Sequence, residues 1–310
     1  MPDDGHDRCT IAGDPNPRYV LTPCRHHAPR GPRTASVAAP SLLVGALITF
    51  AFGPALGAQP ADTTRRSTKP LFTRNDILVA GAFTAGTVGM FQFDRRIAVS
   101  LLDTTSRSYQ RDRRRASQLK VFNERSLFAV SAVSYVAGRL GHGERIADIG
   151  LHSMEAIVVT TALATVGKSG LGRSRPFVTG GKDPTDFHPG KGFRDPAYRS
   201  FPSLHEGGTF AFAAVVTAET ARMWPRSRPW VGPALYTMAA VPGVARLYLS
   251  KHWASDVVVG AAIGTFAGWK VVRYNHSHPG NRVDRWLLGM SIESAEDGTV
   301  MIGARLGAGL

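Results

Sequence analysis

The sequence predicts a mainly α fold, a helical bundle of about six core helices that ends in a marginal C-terminal β-hairpin. Three observations carry this. Six apolar stretches outrun a typical strand and are flanked by helix-capping or helix-breaking residues. Gly260, Gly264 and Gly268 recur at the four-residue spacing that lets helices pack closely. Only two late apolar runs are short, Trp286 to Ile292 and Thr299 to Leu306, and the turn dipeptide Asp297-Gly298 lies between them.

Taken in order, residues 1–40 are rich in Pro, Gly, His and Arg and have no periodicity. They are expected to be disordered, or an over-long translation start. Arg30 and Arg33 lead into an apolar run from Ser41 and a small-residue exit at Ala55 to Ala58. That pattern is a secretory signal with cleavage near Ala58; an uncleaved anchor is the alternative. Residues 1–58 are thus set apart, and 59–75 form a polar linker. The helical domain is expected over 76–275 and a tail over 276–310.

Within the domain, Asn75-Asp76 is expected to cap an apolar helix from Ile77 to Phe91, ended by Asp94-Arg95-Arg96. The charged stretch Arg107 to Arg125 reads as a solvated helix face or loop, or as a contact to anionic lipid head groups. Leu127 to Ala137 is the second apolar helix. Glu144 to Val166 is the third, with Ile146, Ile149, Met154, Ile157, Val158 and Leu163 as its core stripe. A long Gly, Pro and charge-rich loop follows, Phe177 to Phe201, and such loops are functional or disordered. Helices are then expected over Ser203 to Met223, Val231 to Val244 and His252 to Val272. The charge-free runs, roughly 12–17 residues, fall short of a membrane span and read as buried core; Ile77 to Phe93 is the best candidate for a span.

The 310 residues carry a net charge of +14, 43% apolar residues and a mean hydropathy of −0.08. A basic balance suits an anionic surface or phosphate substrates. No arginine-rich helix with interleaved aromatics marks a nucleic-acid face, so nucleic acid is not an expected partner. Cys9 and Cys24 match no zinc spacing and precede the apolar leader, so neither a metal cluster nor a cysteine nucleophile is expected.

Three clusters carry chemistry. Lys168 and Arg175 flank Gly170 and Gly172, which break the helix so that Arg175 can fold back. They are two solvated cations at a helix end, or an anion clamp. Arg173, Lys182, Lys191 and Arg194 are weaker candidates for steering an anion inward. Ser203-Leu204-His205-Glu206 fits a capping box, and free N–H groups at a helix start bind anions. His205 can then protonate a leaving oxygen, or be a plain surface or core histidine. His252 and Asp256 share a helix face at four-residue spacing. The carboxylate can hold one ring nitrogen and free the other to attack, and the pair can equally be structural. Arg246, in a turn before them, adds a bidentate phosphate clamp.

In this order the clusters resemble the signature of the type 2 phosphatidate phosphatase / vanadium haloperoxidase superfamily: K-x6-RP, PSGH and SR-x5-H-x3-D. Lys168 to Pro176 matches the first part. Pro202-Ser203-Leu204-His205 matches the second with leucine for glycine. Arg246, His252 and Asp256 match the third, with Ala245 for serine. The resemblance implies a helical phosphatase domain and a metal-independent phosphoric ester hydrolase without a cofactor. Lys168, Arg175, Ser203, the Leu204 N–H and Arg246 would hold phosphate. His252 would form a phosphohistidine, Asp256 would orient it and His205 would protonate the leaving group. The substrate would be a phosphorylated lipid, as monoester or pyrophosphate, in the periplasm or cell envelope with peripheral or single-span membrane contact. A broad-specificity periplasmic acid phosphatase, a vanadate-dependent haloperoxidase and a catalytically degenerate envelope protein are the alternatives. Leu204 is expected to crowd the pocket and to strain a positive φ.

Overall fold

The computed structural model describes residues 72–102, 107–278, 290–294 and 300–304, all within one compact unit, Ala39–Leu310. The expected N-terminal region, signal segment and most of the linker lie outside the described residues. Helix α1, Arg74–Leu101, starts three residues earlier than expected: the Thr73 N–H and hydroxyl both donate to Asp76 in its first turn, at 2.5 and 2.9 Å. It also runs past Asp94-Arg95-Arg96. Arg95 and Arg96 face outward while Asp94 is wholly buried.

The charged stretch is a helix, α2 (Arg107–Gln118). It rests Ala116 on Ala245 and Leu249 and leaves Arg111, Arg114 and Arg115 exposed. Next come α3 (Glu124–Leu140), α4 (Glu144–Leu171), α5 (Leu204–Met223), α6 (Arg228–Tyr248) and α7 (Ala254–Ser277). The bundle thus has seven α-helices among the described residues. Asn123 caps α3 by accepting the N–H groups of Arg125 and Ser126. Strands β1 (Met290–Ser294) and β2 (Val300–Ala304) pair antiparallel, Ile292 opposite Ile302. Residues 295–299, with Asp297-Gly298, lie outside the described residues.

Helix α5 packs against α4, α6 and α7. The Gly260, Gly264 and Gly268 spacing does what it predicts: a Cβ at Gly260 would strike the Ser203 carbonyl, and one at Gly264 the Gly207 carbonyl. The backbones of α5 and α7 therefore approach closely.

The core is not the one the hydrophobic stripe suggests. Of the six stripe residues on α4, Ile157 alone is fully buried; Ile146, Val158 and Leu163 are more than half exposed. The inward face carries Ala147, Gly150, Ser153, Ala156, Thr160 and Ala164. Small inside and large apolar outside is how helices pack when their surroundings are as apolar as leucine. Length points the same way. Helices α1, α4 and α7 have 28, 28 and 24 residues and are long and apolar enough to cross a membrane. The apolar window of α1 is not buried at all within the protein. For that reason the expectation that these runs are core helices does not hold for α1, the run already singled out as the best candidate for a span.

Two helix ends set up the site. Helix α4 ends at Gly172, whose φ of 61° turns the chain back; a side chain there would collide with the His188 carbonyl. Helix α6 continues through Pro242 and places Arg246 on its last turn, not in a following turn as expected. It closes with the Ser250 N–H donating to the Leu247 carbonyl and Lys251 to Arg246, at 2.9 and 3.0 Å, with Ser250 left-handed at φ 54°.

Candidate active site

Four helix ends meet at one end of the bundle. The last turn of α4 brings Lys168, the first turn of α5 His205, the last turn of α6 Arg246, and the start of α7 Asp256, with His252 just ahead of it. The long loop before α5 is ordered by its own backbone. Ser174 N–H donates to Asp186, His188 to Gly172, Arg175 to Ala197 and Ser200 to Arg173. This loop brings Arg175 in and supplies a wall: Lys168 Nζ donates to the Arg199 carbonyl at 3.0 Å and Arg175 Nε to the Pro196 carbonyl at 3.1 Å.

The cations converge closely enough to feel one another. The Arg175 guanidinium is pushed down to about 10 by burial and then by Arg246. His205 is held down to about 3 by burial, then by Arg246, Lys168 and Arg175. His252 lies well below its ordinary range through burial and Lys168, with Asp256 opposing. At the site, the fully buried Ser203 hydroxyl and the Arg246 Nε have no hydrogen-bond partner among the described residues. A phosphoryl oxygen would satisfy both.

Both imidazoles therefore stay neutral in the folded chain. Below about pH 6.5 the unfolded chain binds more protons, so stability falls as pH drops, for His205 through the window from about 6.5 towards 3. His205→Asn is expected to flatten this acid limb by at most about 1.4 kcal/mol per pH unit. Unfolding of the purified protein at pH 7, 6 and 5 checks it.

Several expected roles change their geometry. His252 precedes α7, so it does not share a helix face with Asp256. Its Nδ1 lies 2.7 Å from the Ser200 carbonyl and 3.6 Å from Asp256 Oδ2, an ion-pair distance rather than a hydrogen bond. Asp256 instead accepts the Trp253 N–H at 2.8 Å as a capping carboxylate, and the Ser200 hydroxyl at 2.5 Å. It thus holds the residue that holds His252. Ser203 sits at the start of α5 but forms no capping box. Its N–H already donates to the Asp256 carbonyl at 2.9 Å, and Glu206 is buried beside Gly243. Leu204 is half-buried in the first turn of α5, and the positive-φ residues other than glycine among those described are His142 and Ser250. The expected backbone strain at Leu204 is absent, because a helical position needs no glycine.

Arg173 is no steering residue. It is fully buried and donates to Asp256 at 2.5 Å, to Asp94 at 2.8 Å and to Ser255 at 2.8 Å, with the Phe91 ring 4.5 Å away. Asp94 also accepts the Ser255 N–H. Glu124, at the start of α3, stands 3.6 Å from His205 Nδ1. Sequence reasoning passed over Asp94, Glu124 and Ser200. Asp94 stands at the end of an apolar run beside Arg95 and Arg96, where it reads as one more surface charge, and nothing local marks the other two. Lys182 and Lys191 stay outside this network, Lys191 lying over the Tyr198 ring. A small apolar cleft beside His205 and Arg246 is lined by Leu119, Phe122, Pro242 and Leu249.

Fold and site define a helical bundle in which three cations and two histidines gather at one end. Residues 150–278 match the model of the PAP2 superfamily. That span holds most of α4, all of α5 to α7 and all three motifs. Over 106 residues it is 33% identical to a lipid A 1-phosphatase of Porphyromonas gingivalis, covering 34% of this chain and 19% of the relative. The matched stretch is about a fifth of that relative's length. No solved structure matches.

Proposed function

We propose that the chain is a membrane-embedded lipid phosphatase, a phosphoric ester hydrolase that works without a metal through a phosphohistidine at His252. The observation that carries this is the meeting of Lys168, Arg175 and Arg246 around His205 and His252, with the Ser203 hydroxyl and Arg246 Nε open towards them. Three fixed cations supply the charge stabilisation that phosphoryl transfer requires.

The steps follow from the hydrogen bonds. Nδ1–H of His252 donates to the Ser200 carbonyl, which leaves the Nε2 lone pair free. Nε2 attacks phosphorus, the P–N bond forms and the ester P–O bond breaks. His205, once protonated, gives its proton to the departing oxygen. A phosphate dianion among the three cations offsets their repulsion and restores that proton. Glu124 sits where it favours the same charged form. Water then attacks phosphorus, loses a proton to His205, and the P–N bond breaks to free phosphate.

The apolar cleft beside His205 suits a lipid leaving group. The apolar exteriors of α1 and α4 suit a bilayer, and the name of the relative points to a lipid phosphate. The exposed arginines of α2 lie near the same end and suit anionic head groups. With the leader-like run at 41–58, this reading puts the chemistry outside the cytoplasm. The test is phosphate release from lipid A, phosphatidate and p-nitrophenyl phosphate in mixed micelles, with His252→Ala as the blank. Turnover of a lipid substrate at least tenfold above p-nitrophenyl phosphate is expected. Equal turnover would favour a broad-specificity phosphatase, and no turnover by folded wild-type protein would refute the reading.

A further inference from the structure

A second cluster of ionisable side chains lies at the other end of the bundle. His152 comes from the first half of α4, Glu219 from the last turns of α5 and His276 from the last turn of α7. His152 Nδ1 is 2.7 Å from Glu219 Oε1, and His276 Nε2 is 2.8 and 3.0 Å from the two Glu219 oxygens. The two rings meet edge to face with centroids 5.4 Å apart. His152 and Glu219 are buried, 2% and 3% exposed; the His276 side chain is 25% exposed and opens the cluster to solvent. One ligand atom from each residue can be chosen so that all lie within 4.8 Å of one another.

We propose that His152, Glu219 and His276 form a binding site for a divalent ion of the zinc class. Two imidazoles and one carboxylate are a zinc-type donor set, with a fourth position left for water. Tetrahedral ligands at about 2.1 Å from an ion stand about 3.4 Å apart, and these atoms need only small shifts to reach that. Both Glu219 oxygens face imidazole nitrogens, so a cation between them meets a carboxylate and two nitrogen donors. The donors come from three helices, so a bound ion would tie α4, α5 and α7 together at this end. His152 is 16 residues from Lys168 along α4, and His276 is 20 from Asp256 along α7. At 1.5 Å per residue the site is roughly 24–30 Å from the phosphate cradle. The proposal therefore stands apart from the phosphatase reading.

The experiment uses the full chain in detergent, stripped with chelator and titrated with Zn²⁺ and then Co²⁺. About one Zn²⁺ per chain is expected, together with the visible bands of tetrahedral Co²⁺ and a higher melting temperature. His276→Asn removes a partly exposed ligand, and Glu219→Gln keeps the shape of the carboxylate. Each is expected to weaken binding at least tenfold, abolish the Co²⁺ bands and erase the metal-induced melting shift, with helical circular dichroism unchanged. Metal held by the histidines and cysteines of residues 1–27, or by His205 and His252, would survive both substitutions. Binding unchanged in the two variants, or no stoichiometric metal on folded wild-type protein, overturns the proposal.

Discussion

Arg173→Met is expected to lower the unfolding free energy by about 3–5 kcal/mol. The guanidinium is fully buried and faces two carboxylates, Asp94 and Asp256, which are buried as well. Methionine fills much of the space but leaves both carboxylates uncompensated in a low-dielectric interior. That loss, and not the intrinsic worth of the ion pair, makes the effect large. Asp94→Asn in the same chain is expected to restore part of the loss, because the pair is coupled. Chemical denaturation of the single and double variants checks this. Activity of the folded fraction is a second readout. Asp256 holds Ser200 and Ser200 holds His252, so kcat should fall even where the protein survives, with KM little changed. An Arg173→Met protein as stable and active as wild type would remove Arg173 from this role.

His252→Ala is expected to reduce kcat by at least about 10⁴-fold, the scale seen when a covalent nucleophile is deleted. Wild-type protein quenched in alkali after labelled substrate should hold an acid-labile, base-stable phosphoryl group, as phosphohistidine does, and the variant none. His205→Asn tests the other half of the mechanism. Its loss should be smaller with p-nitrophenyl phosphate, whose leaving group needs little protonation, than with an alkyl phosphate. Label that persists in His252→Ala would reassign the nucleophile.

Much of the site is legible in the chain. Lys168, Arg175, Ser203, His205, Arg246, His252 and Asp256 stand at fixed spacings around helix ends, and the structure gathers them at one end of the bundle. Motif spacing reports this because each motif straddles the end of a helix, so local backbone geometry delivers its residues together. The partners of those residues are not legible. Ser200 holds His252 through a backbone carbonyl, which any residue type would offer, and its hydroxyl donates to Asp256, 56 residues away. Asp94 is 79 residues from Arg173 and 161 from Ser255, and no local pattern joins them. His152, Glu219 and His276 are likewise spread over three helices, and none has a neighbour in sequence that hints at the others.

The sequence by itself determined the helical class, the glycine seam of α7 and which charged and histidine residues gather at the candidate site. These follow from periodicity, steric size and charge, which are properties of short segments. Tertiary structure alone decided which face of each helix points inward. On α4 Ile146, Val158, Leu163 and Val166 point out while small residues share the inward face with Leu151 and Ile157, largely the reverse of what hydrophobicity in water would choose. It also decided that Asp256 caps α7 and holds Ser200 rather than gripping His252. A helix start needs its N–H groups satisfied, and the Asp256 carboxylate meets the Trp253 N–H at 2.8 Å while His252 Nδ1 stays 3.6 Å away. Both outcomes depend on which groups become neighbours after folding.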